Sequence, residues 1–132
     1  MKKIKILCIC CVVLTSFFFY SCSQSDDNDT MSIEGRIDKF ISDLNSNPGN
    51  VWTNCHSGAS KYNQAKPAKY WTQQFGTDKI SLENISISGS TVTADVDGGN
   101  YVGLTITFNM QEDGTDNWKI KKITVGSTTV FD

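Results

Sequence analysis

Cys55 and His56 are the adjacent pair whose side chains could do covalent chemistry. A thiol beside an imidazole can be an activated nucleophile. Their spacing argues against it, because helix neighbours point about 100° apart and do not face each other. The chain holds one histidine, so no second imidazole is present to build a metal site. The plainer reading is a buried small thiol beside a half-exposed histidine.

Aromatic side chains are the second candidate. Trp52, Tyr62, Tyr70, Trp71, Tyr101 and Trp118 are many for a small domain. They could line a pocket or stack on sugar rings, or they could supply the large buried area of a core. With Cys55 and His56, the residues Trp52, Tyr62 and Trp71 make the candidate ligand-binding set. The run Asp95-Val96-Asp97-Gly98-Gly99-Asn100 superficially suggests calcium but lacks the spacing and terminal glutamate of an EF-hand loop, so it reads as a turn. No phosphate loop, nucleophile elbow or zinc spacing is found. The chain is therefore not expected to be an enzyme, and no cofactor or metal is expected.

Position and export come from the first thirty residues. Met1-Lys2-Lys3-Ile4-Lys5 is a short basic segment, and an apolar run of fifteen residues follows from Ile6 to Tyr20. A membrane span needs about 20, so the run fits the apolar region of a secretory signal peptide. It ends Phe19-Tyr20-Ser21-Cys22, which resembles a lipobox, although Phe19 and Tyr20 depart from its usual leucine and small residue. The resemblance implies cleavage before Cys22 and attachment of diacylglycerol to its sulfur. Two or more acyl chains hold a protein stably on a membrane, where one holds it only marginally. The alternative is an uncleaved signal anchor.

Residues 22–31 read as a flexible acidic tether, because Ser23 to Asp29 carries three carboxylates and no apolar side chain. Acidity just after the lipid cysteine is similar to a surface-export signal of some Gram-negative lipoproteins. Cell-surface exposure on the outer membrane is expected, with a periplasm-facing lipoprotein as the alternative. Asp29-Thr30-Met31 resembles an O-glycosylation acceptor, with Thr30 as the modified residue.

Residues 1–21 are thus a lipoprotein signal peptide, 22–31 a tether and 32–132 one domain of about 100 residues. Lys2, Lys3 and Lys5 leave with the signal peptide, so nine basic residues face 14 acidic ones. Nothing in that balance suggests a nucleic-acid binder, which needs a basic face. Cys8, Cys10 and Cys11 leave too, and Cys22 takes lipid. Cys55 alone remains, so the domain must stand on packing.

These residues need elements to hold them. Ile33, Ile37, Phe40, Ile41 and Leu44 form one stripe of a helix over 32–45, with Ser32 as N-cap and Glu34 in the first turn. Val51, Trp52 and Cys55 suit a short helix. Pro67 suits the first turn of another, which carries Tyr70, Trp71 and Phe75 and ends at Gly76. From Ile80 the period becomes two. Four strands are predicted: Ile80 to Ile87 with a phase slip near Asn84, Val92 to Val96, Val102 to Met110, and Trp118 to Val125. The slip between Ile120 and Ile123 predicts a β-bulge at Lys121-Lys122. Val130 and Phe131 could add a short terminal strand. The fold class is α+β, with N-terminal helices covering one face of a curved four-stranded antiparallel meander.

In this order of elements the chain resembles the NTF2-like (cystatin-like) superfamily of small α+β cones. The closing strand Asn117-Trp118-Lys119-Ile120-Lys121-Lys122-Ile123 and the stretch from Cys55-His56-Ser57 through Tyr62 to Tyr70-Trp71 and Phe75 carry the resemblance. It covers roughly residues 32–131. Enzymatic members place an aspartate or histidine in the cone. Here the inward positions are Ile, Val, Leu, Phe and Met, and Asp95 and Asp97 fall on the opposite phase, so the family's isomerase activity does not carry over. The resemblance implies a binding or accessory module that holds a small molecule or glycan in the cone. The alternatives are an interaction subunit docking a protein partner in an envelope complex, and an enzyme using Cys55 or His56.

Overall fold

The computed structural model describes residues 30–132. The segment expected to be a signal peptide, Cys22 and the expected tether up to Asp29 lie outside the described residues. No described helix is long and apolar enough to cross a membrane.

Helix α1 spans Ile33–Ser46. Ser32 caps it, its Oγ accepting the Gly35 N–H at 3.1 Å, and Glu34 sits where the helix dipole favours a carboxylate. The expected stripe faces inward, with Ile37, Phe40 and Leu44 buried. Pro48–Asn54 is a 3-10 turn, and Ala68–Phe75 forms helix α2 with Pro67 just before its first turn.

Five strands follow, not four: β1 Ser81–Ser88, β2 Thr91–Asp97, β3 Thr105–Glu112, β4 Trp118–Val125 and β5 Thr128–Phe131. They pair antiparallel in the order β1-β2-β3-β4-β5. The fifth strand forms because Gly126, at φ 56°, turns the chain back on β4, where Phe131 pairs with Ile123.

Both predicted irregularities occur. Glu83 pairs with Asp95 and Ser86 with Thr93, so Asn84 and Ile85 together oppose Ala94, and Asn84 sits at φ 50°. Asn109 pairs with Lys122 and Met110 with Ile120, which leaves Lys121 as the extra residue.

The third strand starts later than its alternation suggested. Val102 and Leu104 lie before β3 and are 60% and 46% exposed. The reason is the turn ahead of them. Gly98 and Gly99 hold φ of 95° and 62°, and a Cβ would lie 2.1 Å from the Lys79 carbonyl oxygen at the first and 2.3 Å from that of Phe75 at the second. The chain therefore presses against the end of α2, where Asn100 donates from Nδ2 to the Gln74 carbonyl at 3.2 Å. Strand geometry resumes only at Thr105.

The helices cover one face of the sheet. Phe40 meets Trp71 and Phe108 edge-on with centroids 5.5 Å apart in both pairs, and Trp71 packs on Phe131 at 5.8 Å. Val92, Ala94, Ile106, Phe108, Ile120 and Ile123 are buried beneath them. Thr93, Asp95, Thr107 and Asn109 alternate to the opposite, polar face.

Candidate functional site

An open groove of about 390 Å³ lies between α1 and the β1–β2 edge of the sheet. Glu34, Ile37 and Asp38 form its helical wall, and Ile85, Ile87 and Val92 its strand wall. Two local features produce it. The bulge at Asn84 resets the phase of β1 so that Ile87 pairs with Val92 on the helix-covered side. Neither Ile85 in the bulge nor Ile87 beyond it packs against the core, and they stay 48% and 39% exposed. Below the bulge Asn45 fixes the chain, accepting the Ile80 N–H and donating to its carbonyl, both at 2.8 Å.

Glu34 and Asp38 are one helical turn apart on the groove's wall. Among the described residues neither carboxylate is in an ion pair, whereas Asp43 on the same helix takes Lys39 at 2.7 Å.

The residues chosen from the sequence lie elsewhere. Trp71 has no exposed surface and is a core residue, its Nε1 donating to the Ala65 carbonyl at 2.7 Å. Trp52 and Tyr62 meet edge-on at 5.8 Å, with the Lys66 ammonium 5.4 Å and 5.2 Å from their ring centres. That cation–π arrangement supplies the two faces with a partner from the chain itself. Cys55 is 2% exposed, and its Sγ lies 3.9 Å from the Val51 carbonyl oxygen. Burial pushes its thiol far above the ordinary range, with Lys119 and Arg36 pulling weakly the other way. His56 Nδ1 accepts the Gly58 N–H at 2.9 Å, and the backbone N–H of His56 donates to the Ile120 carbonyl at 2.8 Å. Cys55 and His56 thus act as a sheet contact, bridging to Ile120 on β4. Among the described residues no hydrogen bond joins thiol to imidazole, and no cluster of three or more metal-ligating side chains occurs. Thr30 is exposed.

Arg36 is the buried charge that sequence reasoning missed. Its Nε donates to the Trp118 carbonyl at 2.7 Å, Nη2 to Asn117 Oδ1 at 2.8 Å and Nη1 to Asn54 Oδ1 at 3.3 Å. Asn54 passes the network on, donating from Nδ2 to Asp43 at 2.8 Å. This holds α1 against the start of β4 and so fixes the wall that carries Glu34 and Asp38. The sequence signal for the groove was faint: an i, i+4 carboxylate pair flanking Ile37, and isoleucines on the far side of a phase slip.

Comparison with protein-family models, with curated proteins and with solved structures returns no match.

Proposed function

We propose that this protein is a lipid-anchored binding module, held on the outer membrane through Cys22, with the α1–β1 groove as its recognition site. The carrying observation is the groove itself: about 390 Å³, walled by half-exposed Ile85 and Ile87 and overlooked by two carboxylates, beside a core of packed aliphatic and aromatic side chains. Ligand sites of this kind occupy roughly 300–1,000 Å³ and pair an apolar lining with a few polar groups. The helices-first order and bulged antiparallel sheet support reading the domain as NTF2-like. The lipobox-like Ser21-Cys22 and the acidic tether support anchoring and surface display.

Two measurements test the two halves. Incorporation of labelled palmitate and recovery in the membrane fraction should both be lost in Cys22→Ala; retained labelling removes the anchor. Thermal shift of the full chain in detergent, across glycan, lipid and peptide panels, should find stabilising compounds whose effect disappears in Ile87→Asp. Stabilisation that survives Ile87→Asp places recognition elsewhere.

A further inference from the structure

The two margins of the sheet differ. On the β4–β5 side, Met31 bridges Asn117, the backbone N–H of His56 donates to the Ile120 carbonyl, the Tyr70 hydroxyl donates to the Val130 carbonyl and the Lys61 N–H donates to the Asp132 carbonyl at 2.7 Å, so neighbouring chain covers the start of β4 and the end of β5. On the other side, β1 pairs only with β2, and among the described residues no backbone group hydrogen-bonds to the outer edge of Ser81–Ser88. Proteins normally guard such an edge with lysine, proline or a covering segment, because it is a template for another strand. Here the bulge at Asn84 and Ile85 is the guard that β1 carries: the strand has neither lysine nor proline, its one charge is Glu83, and the stretch beyond the bulge, Ser86 to Ser88, is uncharged.

We infer that the free edge of β1 and the groove beside it receive an extended peptide strand from a partner protein, with apolar side chains alternating along one face and a lysine or arginine on that face opposite Glu34 and Asp38. The inference rests on the groove being the recognition site. A strand added to β1 would lie about 4.8 Å further out and place every second side chain on the groove side. There it would continue the apolar surface of Ile85 and Ile87 below the α1 carboxylates. Charge selects the occupant. The groove lining contains two carboxylates and no basic residue, so a cation on the incoming strand is what complements it. A second copy of this chain does not fit, because its β1 would bring Glu83 and no cation.

The test uses the full chain in detergent and a set of short peptides of alternating valine and threonine, with lysine replacing each valine in turn. A matched set carries glutamate instead. Hydrogen exchange is followed in the segment 81–88. At least one lysine peptide should slow exchange there, its glutamate counterpart should not, and N-methylation of its edge-facing amides should abolish the effect. Glu34→Gln with Asp38→Asn should weaken the lysine peptide by about fivefold, the scale of exposed ion pairs. Equal protection by both sets, or by neither, overturns the inference. If neither set protects 81–88 while a panel compound still loses its stabilisation in Ile87→Asp, the groove remains a binding site for a different ligand. If no compound depends on Ile87, both readings fall.

Discussion

Arg36 Nε and the Trp118 carbonyl oxygen lie 2.7 Å apart, across 82 positions of sequence. That bond joins the first helix to the fourth strand, and the rest of the guanidinium reaches Asn117 and Asn54. Arginine suits the place because its planar fork serves several acceptors at once, which a lysine ammonium cannot do in the same geometry. Arg36→Met should therefore cost about 3 kcal/mol in a denaturant titration, since buried acceptors lose a charged donor. Arg36→Lys should recover only part of it. A loss under about 1 kcal/mol for Met would show that water replaces the guanidinium without penalty.

Cys55 should be inert in the folded protein. Its thiol is buried and its deprotonation is opposed by burial, so little thiolate is present near neutral pH. Iodoacetamide should react slowly with the native chain and rapidly in denaturant. Fast alkylation of the native chain at neutral pH would restore a nucleophilic role for this residue.

Alkaline pH should weaken the fold through Tyr70. Burial is the largest cause raising its hydroxyl from 10.0 to about 12, followed by Cys55, Asp132 and Tyr101, and the hydroxyl donates to the Val130 carbonyl at 2.5 Å. Between pH 10 and 12 the unfolded chain gives up this proton while the folded chain keeps it. The unfolded state then binds fewer protons, so stability falls as pH rises through that window and is fully present below it. Tyr70→Phe should flatten the tyrosine part of this slope in urea titrations at stepped pH. An unchanged slope would assign the effect to other groups.

Core and groove should respond differently to truncation. Phe108 is fully buried between sheet and helices, and Phe108→Ala should cost about 3–5 kcal/mol. Ile85 is half exposed, and Ile85→Ser should cost under about 1 kcal/mol. Comparable losses at both positions, measured by thermal or urea unfolding, would mean that Ile85 packs as part of the core.

Gly98 and Gly89 both have positive φ, but only one is crowded. Gly98→Ala places a Cβ 2.1 Å from the Lys79 carbonyl oxygen, while Gly89→Ala meets nothing within 4 Å. Gly89→Ala should cost about 1 kcal/mol for backbone conformation alone. Gly98→Ala should cost clearly more, because φ 95° with ψ 171° is a backbone geometry nearly confined to glycine and the steric clash adds to that strain. Equal melting temperatures for the two variants would show that the turn at Gly98 yields freely.

Local periodicity carried much of the architecture. The stripe from Ile33 to Leu44 encodes α1 within its own residues, and the alternation after Ile80 encodes strands, because side-chain direction repeats every 3.6 residues in one and every two in the other. Phase slips at Asn84 and between Ile120 and Ile123 were visible for the same reason, since an extra residue flips the alternation that follows it. Tertiary structure alone decided what those elements do to one another. Trp71 and Trp52 look alike as residues, yet one is walled in by Phe40 and Phe131 while the other sits under Lys66. The groove joins Glu34, Ile37 and Asp38 to Ile85, Ile87 and Val92, and no local window spans both groups. Burial, and with it the placing of a site, depends on which distant surfaces the core brings together, whereas helix and strand depend on neighbours along the chain.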